Sequence, residues 1–220
     1  IIQDIKGLPY FTIAEPLEDG TIILRSSIGQ DASHTIGVFD KNKSPKYHYN
    51  DTLLQKQREG IFSTDGMLSY SREYNSIIYT YYYRNGFTVA DSNLKLKYRG
   101  HTIDTNKTAK IKVAYLKNNT ERKMSAPTLT VNAHSAVYKN LLFINSRVPG
   151  KLEDQILWDQ AFIIDVYDLN KKSYLMSFAV YKIKGKKLRS IFITEDHFYA
   201  LMDNELAVYK FRSILKKEIK

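Results

Sequence analysis

The chain has 220 residues, enough for one large domain or two small ones, and its hydrophobic content of 43% can supply a core. It contains no cysteine, which excludes disulfides and cysteine-ligated metals, and no run of about 18 apolar residues that could span a membrane. The 17 tyrosines favour β-structure, because aromatic side chains suit pleated, half-buried surfaces.

The net charge of +10 is uneven, since residues 171–220 hold 12 Lys/Arg against 5 Asp/Glu. A basic face of this kind can bind nucleic acid, anionic lipid or glycan. The simpler interpretation is a set of solvated lysines on outer strands, because Lys dominates over Arg and no basic amphipathic helix accompanies the charge. We therefore do not expect a nucleic-acid partner.

The first part of the chain alternates short apolar segments with turn residues. Asp19-Gly20 is a hairpin signal, residues 29–33 form a polar loop, and Pro45 is tolerable only at a sheet edge. Residues 51–60 predict a connection with one helical turn. The predicted strands cover residues 1–5, 10–14, 21–26, 35–39 and 45–49.

Residues 65–103 predict a complete unit of four strands, with Asn85-Gly86 as a strong hairpin signal. The predicted strands cover residues 67–72, 77–83, 87–90 and 94–98. The second of them reads IIYTYYY. One face carries Ile77, Tyr79, Tyr81 and Tyr83, and the other carries Ile78, Thr80 and Tyr82. Neither face is polar enough for free solvent, which predicts burial on both sides.

The second half continues this pattern with longer connections. Residues 117–125 predict a polar loop, residues 147–160 an insertion, and residues 213–220 either a last strand or a short helix. The predicted strands cover residues 127–131, 141–145, 162–167, 174–181, 188–194, 198–202 and 206–211.

An internal repeat joins these segments. The second strands align as GTIILRSS (20–27), NSIIYTYY (75–82), NLLFINSR (140–147) and HFYALMDN (197–204), at spacings of 55, 65 and 57 residues. Third strands end in a similar turn at Asp40, Asp91 and Asp168, where a short polar side chain can bond the neighbouring backbone. Weak self-similarity at about 40–60 residues with four strands per unit is typical of a β-propeller.

We therefore predict an all-β fold in which residues 1–220 form a single β-propeller domain of four-stranded antiparallel blades. Residues 1–5 are assigned to a preceding or closing blade. About four blades are present, at the small end of the known range, so we expect them to belong to a larger ring of about six. The blades cover approximately residues 10–50, 65–103, 127–181 and 188–220.

The segments DGMLSY, YRNGFTVADSNLKLKYRG and FIIDVYDLNKKSYLMSF resemble uncharacterised bacterial envelope proteins predicted to be six-bladed β-propellers, TolB-like or NHL-like in architecture. The resemblance covers residues 60–211 and rests on strand and turn signatures, so it carries no catalytic residue across. It implies an exported or anchored protein in the periplasm or cell envelope. We expect the further N-terminal blades and the export signal of such a protein to lie outside this chain.

No sequence motif nominates an enzyme site. The five histidines do not form an HxH or HExxH pattern, and GxSxG, Walker and GxGxxG motifs are absent, so we predict no metal, no cofactor and no catalytic residue. The adjacent carboxylates Glu153-Asp154 and Glu195-Asp196 would point to opposite faces of a strand rather than converge.

Ligands of propellers usually meet the ring at its axial face, so binding residues are sought at the ends of inner strands and in adjacent loops. His134 can equally be a satisfied side chain of an inner strand, and Trp158 can pack the insertion onto its blade rather than stack on a sugar or anchor a partner. The predicted ligand-binding residues are Arg72, Asn132, His134, Arg147 and Trp158.

Three functions remain open. The favoured one is a non-enzymatic binding or scaffold propeller of the cell envelope, with a protein or glycan as its ligand. The second is a hydrolase or lyase acting on a glycan or peptide, which requires two carboxylates, or a histidine with a carboxylate, at the axial channel with perturbed pKa values. The third is a nucleic-acid binder, which requires a contiguous basic groove with stacking aromatics.

Overall fold

Strands that follow one another in sequence pair antiparallel, so each group of strands forms a meander. A computed structural model describes residues 7–17, 19–28, 32–58, 60–116 and 121–220. Four meanders form the blades of a β-propeller, which confirms the predicted fold class. The strand predicted for residues 1–5 lies outside the described residues, and the single-domain assignment stays a prediction.

The first two blades each contain four strands. Blade 1 consists of β1 (Ile13–Pro16), β2 (Ile22–Ile28), β3 (Ser33–Phe39) and β4 (Tyr47–Asn50). A short helix, α1 (Gly60–Ser63), leads into the next sheet. Blade 2 consists of β5 (Gly66–Ser71), β6 (Ser76–Tyr81), β7 (Gly86–Ala90) and β8 (Leu96–His101).

A two-stranded hairpin, β9 (Val113–Leu116) and β10 (Glu121–Met124), separates the two halves. Blade 3 consists of β11 (Asn132–Tyr138), β12 (Leu141–Ser146), β13 (Ala161–Asp168) and β14 (Ser173–Tyr181), with α2 (Gln155–Gln160) inserted before β13. Blade 4 consists of β15 (Leu188–Ile193), β16 (His197–Met202) and β17 (Glu205–Lys210), and α3 (Ser213–Lys216) follows it.

The central strands of blades 2 and 3 are buried on both faces because each of these blades lies between two others. On β6, Ile77, Tyr79 and Tyr81 pack against residues of blade 1, whereas Ile78 packs with residues of blade 3. A third cluster, which includes Phe143 of β12, fills the space between blades 3 and 4. The two-sided burial predicted from the IIYTYYY run is therefore confirmed.

The three repeated aspartates close turns, as predicted. The Oδ1 atoms of Asp40, Asp91 and Asp168 each accept a hydrogen bond from the backbone N–H two residues further on, at 2.9, 3.0 and 2.8 Å. Such turns let a short side chain satisfy backbone donors where the ladder ends. These carboxylates are thus engaged in the scaffold.

Three sequence predictions were wrong in detail. The innermost strand of blade 3 is β11, not residues 127–131, and the region predicted as a loop over 117–125 contains strand β10. The first strand of blade 1 covers Ile13–Pro16 rather than residues 10–14. The segment at 213–220, left open between strand and helix, contains α3, so among the described residues blade 4 has three strands.

The innermost strands β1, β5, β11 and β15 lie side by side in that order, since each blade contacts the next through them. The described residues thus contain four blades, and the larger ring of about six stays a prediction. Within the same residues, no helix is both long and apolar enough to cross a membrane.

Candidate functional site

The innermost strands of all four blades border one cavity of 240 Å³, which we call the axial pocket. Each blade contributes side chains of its first strand, and the loop after β6 adds an aromatic ring. The lining residues include Ile13, Met67, Tyr82, His134, Ser135 and Ser190. Burial raises the pKa of Tyr82 and lowers that of His134, so none of the described lining groups is charged at neutral pH.

His134 is the predicted ligand-binding residue that the structure places in this pocket. A bulge between Asn132 and His134 interrupts the pairing of β11 with β12 and re-aims the chain at this point. The Nε2 atom of His134 lies 3.1 Å from the carbonyl oxygen of Leu188. Because a carbonyl only accepts, Nε2 carries the proton, and Nδ1 is left as an acceptor.

Asn132 and Arg72 lie outside the lining of this pocket. The amide of Asn132 is fully buried and donates to the carbonyl oxygens of Tyr81 and Arg84, at 2.8 and 3.0 Å. It therefore joins blade 3 to blade 2. Arg72 is exposed in the turn after β5.

Arg147 and Trp158 meet in a second cavity, the rim pocket, which has a volume of 240 Å³ and also borders Asp159 and Lys182. The indole Nε1 of Trp158 donates to Glu153 Oε2 at 2.8 Å, and Lys182 Nζ donates to the Trp158 carbonyl at 2.8 Å. The first bond lies within the insertion, and the second joins the insertion to the residue that follows β14. The structure brings these two predicted residues together, in a cavity separate from that of His134.

Sequence reasoning missed a charged cluster between blades 1 and 2. Arg25 of β2 donates through Nη1 to Asp65 Oδ1 and to the Gly66 carbonyl, both at 2.7 Å. His34 of β3 lies with Nε2 3.6 Å from the same Asp65 oxygen. Gly66 immediately precedes Met67, which lines the axial pocket.

The imidazole of His34 also contacts a hydroxyl group. Ser27 and His34 are paired across β2 and β3, with Ser27 Oγ 2.9 Å from Nδ1. Burial, followed by the charge of Arg25, lowers the pKa of His34 to about 4, so the ring is neutral at pH 7. With the ring proton on Nε2 toward Asp65, Nδ1 accepts a hydrogen bond from the Ser27 hydroxyl group. Ser27 and Asp65 thus lie on opposite sides of the imidazole ring, which we call the Ser27–His34–Asp65 arrangement.

One sequence signal points to part of this cluster. Arg25 directly follows the apolar residues 22–24 of β2 and is itself buried, and a buried cation requires a partner. Asp65 is 40 residues away, and only the packing of blade 2 on blade 1 brings it within reach.

The basic C-terminal quarter is partly neutralised by its own acidic residues. Carboxylates of this region or of the preceding turn form ion pairs with Lys171, Lys186, Arg189 and Lys216. Such pairing lowers the charge that a contiguous basic groove would need. Among the described residues, three or more His, Asp or Glu side chains do not gather in a group that could hold a metal ion.

No protein-family model matches the chain, and no curated protein matches it significantly. Three similar solved structures are Kluyveromyces lactis Hsv2 (10% identity, TM-score 0.35), KlHsv2 with loop 6CD replaced by a Gly-Ser linker (11%, 0.38) and the AfRom2 CNH domain (10%, 0.41). The matches cover 68%, 66% and 91% of this chain, respectively. They span 34%, 35% and 52% of the length of those proteins.

Proposed function

We propose that this chain is a non-enzymatic, ligand-binding β-propeller of the bacterial cell envelope, and that its axial pocket holds an uncharged part of a glycan or protein. The bacterial envelope setting is supported by the resemblance of residues 60–211 to propellers of envelope proteins.

The lining of the axial pocket is the observation that carries the proposed function. It combines the Nδ1 acceptor of His134 with the hydroxyl groups of Ser135 and Ser190, next to the ring of Tyr82 and the side chain of Met67. Hydroxyl and imidazole groups can exchange hydrogen bonds with sugar hydroxyls or backbone amides, and the aromatic and thioether groups supply apolar contact. A neutral ligand avoids the cost of burying an unpaired charge in a pocket without charged groups.

A binding screen tests this proposal. The labelled protein is applied to an array of neutral oligosaccharides and extended peptides, and each hit is measured by calorimetry. Ser190→Arg fills the pocket from an exposed position, and we expect it to weaken binding by about tenfold or more. His134→Ala, which removes the acceptor, should also weaken it. The matched control is His48→Ala, on the exposed outer strand β4, which should bind like the parent.

Binding that survives both Ser190→Arg and His134→Ala would place the ligand elsewhere and refute the axial pocket. The thermal unfolding midpoint of each variant shows whether a loss of binding reflects a loss of folding.

The Ser27–His34–Asp65 arrangement favours a second candidate, a hydrolase acting on a peptide. A neutral histidine can take the proton of a serine hydroxyl as that oxygen attacks a carbonyl. Two features weaken this alternative: the lowered pKa of His34 makes it a poor base at pH 7, and Asp65 is held more closely by Arg25 than by His34.

A fluorophosphonate probe distinguishes the two candidates. A hydrolase with Ser27 as nucleophile is labelled at that residue, and Ser27→Ala and His34→Gln both abolish the labelling. A folded parent protein that takes up no probe at Ser27 counts against this candidate and leaves the binding proposal intact.

A further inference from the structure

A third cavity, which we call the arginine pocket, lies on blade 2 away from the axial pocket. It has a volume of 210 Å³ and is bordered by the β6–β7 hairpin, by β8 and by the segments at residues 55–57 and 107. Its volume is several times the roughly 30 Å³ that one water molecule occupies. The basic residues that line it are Lys56, Arg84, Arg99, His101 and Lys107.

Arg84 is the most buried of these residues, with 5% of its surface exposed. Its guanidinium carbon lies 3.7 Å from the centre of the Tyr81 ring, and Nη2 donates to the Gln55 carbonyl at 2.5 Å. Its Nε atom is buried and has no hydrogen-bond partner among the described residues. This guanidinium group therefore lacks an acceptor at Nε. Leaving a buried N–H donor of a charged group without a hydrogen bond costs free energy.

Arg99 repeats this situation on the neighbouring strand β8. Its Nη2 donates to the Thr52 carbonyl at 2.9 Å, and its Nε is likewise buried without a hydrogen-bond partner in the described part of the chain. Neither arginine forms an ion pair with a described carboxylate, and none of the described residues that line the pocket is acidic. Two guanidinium groups and the ammonium group of Lys107 thus border one cavity, and its described lining holds no carboxylate.

The surrounding contacts hold this arrangement in place. Gln57 donates through Nε2 to the Lys107 carbonyl at 3.0 Å and accepts through Oε1 from the Ala109 N–H at 2.9 Å. The segment that carries Lys107 is thereby fixed against residues 55–57. Gly86 keeps space open beside the guanidinium, because a Cβ atom there would lie 4.0 Å from Arg84 Nε and 3.3 Å from the Tyr81 ring.

We propose that the arginine pocket binds an oxyanion, the phosphate or sulfate group of a small molecule. The planar guanidinium fork matches the oxygens of such a group, and charge-assisted hydrogen bonds are roughly twice as strong as neutral ones. The bound anion supplies acceptors for the nitrogen donors of Arg84 and Arg99 and offsets the charge of these two guanidinium groups. This proposal does not depend on the function of the axial pocket.

The test compares anions at matched ionic strength. Thermal unfolding of the parent protein is followed in increasing sodium phosphate, sodium sulfate and sodium chloride. A ligand that binds only the folded state raises the unfolding midpoint with concentration. We expect a rise in phosphate or sulfate that exceeds the rise in chloride, with a saturable heat of binding for the same anion by calorimetry.

Variants then locate the effect. Arg99→Gln and Lys107→Gln should each weaken phosphate or sulfate binding by about tenfold. Arg84→Gln is less informative because the buried side chain also supports the fold. The matched control is Lys184→Gln, an exposed lysine before blade 4 that should leave binding unchanged. Equal midpoints in phosphate, sulfate and chloride, or undiminished binding in Arg99→Gln, would overturn the proposal.

A second arm identifies the source of the group. Glucose 6-phosphate is compared with inorganic phosphate, and vesicles of phosphatidylglycerol are compared with vesicles of phosphatidylcholine. Tighter binding of the sugar phosphate identifies a soluble phosphate ester as the ligand class. If the protein instead sediments with phosphatidylglycerol vesicles and not with phosphatidylcholine vesicles, and Arg99→Gln and Lys107→Gln lose this binding, the source of the phosphate is a lipid headgroup. Vesicle binding that persists in both variants while inorganic phosphate does not bind contradicts the proposal.

Discussion

His34 occupies an environment that disfavours its charged form. Its side chain is buried at the junction of blades 1 and 2, where Arg25 opposes a second positive charge more than Asp65 favours one. Ser27 completes its surroundings through a contact to Nδ1. A histidine held neutral in this way couples protonation to unfolding.

We predict that the stability of the protein falls as the pH is lowered from about 6.5 to about 4, the interval between the ordinary pKa of histidine and the lowered pKa of His34. In this interval the unfolded chain binds a proton that the folded protein excludes, so protonation favours unfolding. The loss reaches on the order of 3 kcal/mol below that interval. Urea unfolding at a series of pH values measures the slope for the parent and for His34→Gln.

The slope should be smaller in His34→Gln, although His134, whose pKa burial also lowers, contributes a remainder. His48→Gln, at an exposed position of β4, should keep the slope of the parent. If His34→Gln and the parent show identical pH dependence, His34 is not the group that links protonation to folding.

At the scale of single strands, blade 2 depends on a glycine opposite an aromatic ring. Gly100 of β8 is paired with Phe87 of β7, and Phe87 belongs to the apolar cluster between blades 2 and 3. A Cβ atom at Gly100 would lie 2.1 Å from the Cζ atom of Phe87. The ring therefore covers the glycine, and the outer strand can approach closely only because that position lacks a side chain.

We predict that Gly100→Ala destabilises the protein by about 1–3 kcal/mol, because the Phe87 ring must move within a packed cluster. Gly150→Ala is the control, since a Cβ atom there meets its nearest neighbours at 3.4 Å, and the change should stay within about 0.5 kcal/mol. Chemical denaturation of the three proteins measures both changes. A Gly100→Ala protein as stable as the control would show that β8 can shift outward without cost.

The elements that sequence predicted best are the second and third strands of each blade. In blades 2 and 3 these strands carry buried apolar residues on both faces and end in turns such as those at Asp91 and Asp168, so local pattern and tertiary burial agree. The innermost strand of blade 3 was misplaced because β11 reads NAHSAVY, with few large apolar residues, whereas the preceding PTLTV has the composition of a strand. Strand preference depends on context, and here pairing with β12 determines which segment forms the innermost strand.

The candidate sites could be predicted from the sequence only where they depend on local pattern. His134 could be predicted because it lies on an inner strand of a recognisable repeat. The Arg25–Asp65 pair and the arginine pocket could not, because each joins segments that are distant in sequence and become neighbours only through packing.

At the scale of the whole molecule, blade 4 differs from the other blades. Blades 1 to 3 cover their third strand with a fourth, whereas β17 pairs only with β16 among the described residues. The chain after β17 instead forms α3, whose Leu215 enters the cluster between blades 3 and 4. Asn140 of blade 3 then donates to the Glu218 carbonyl at 3.0 Å. The C-terminal segment thus secures blade 4 to blade 3 and leaves the outer edge of β17 open.

The open edge carries apolar side chains on the face of blade 4 that points away from blade 3. Leu206 and Val208 are 60% and 52% exposed, and Val208 is paired with Tyr199, which is paired in turn with the exposed Phe192. An unpaired edge strand next to an apolar face favours association between molecules.

We predict that the protein self-associates as its concentration rises, and that the double variant Leu206→Lys/Val208→Lys associates less. Lysines on an edge strand oppose pairing with another chain. Sedimentation velocity over a range of concentrations measures both. Leu152→Lys, which changes an isolated exposed leucine in the insertion, should associate like the parent. A parent protein that stays monomeric at all concentrations, or a double variant that associates as strongly as the parent, would show that this edge is not a contact surface.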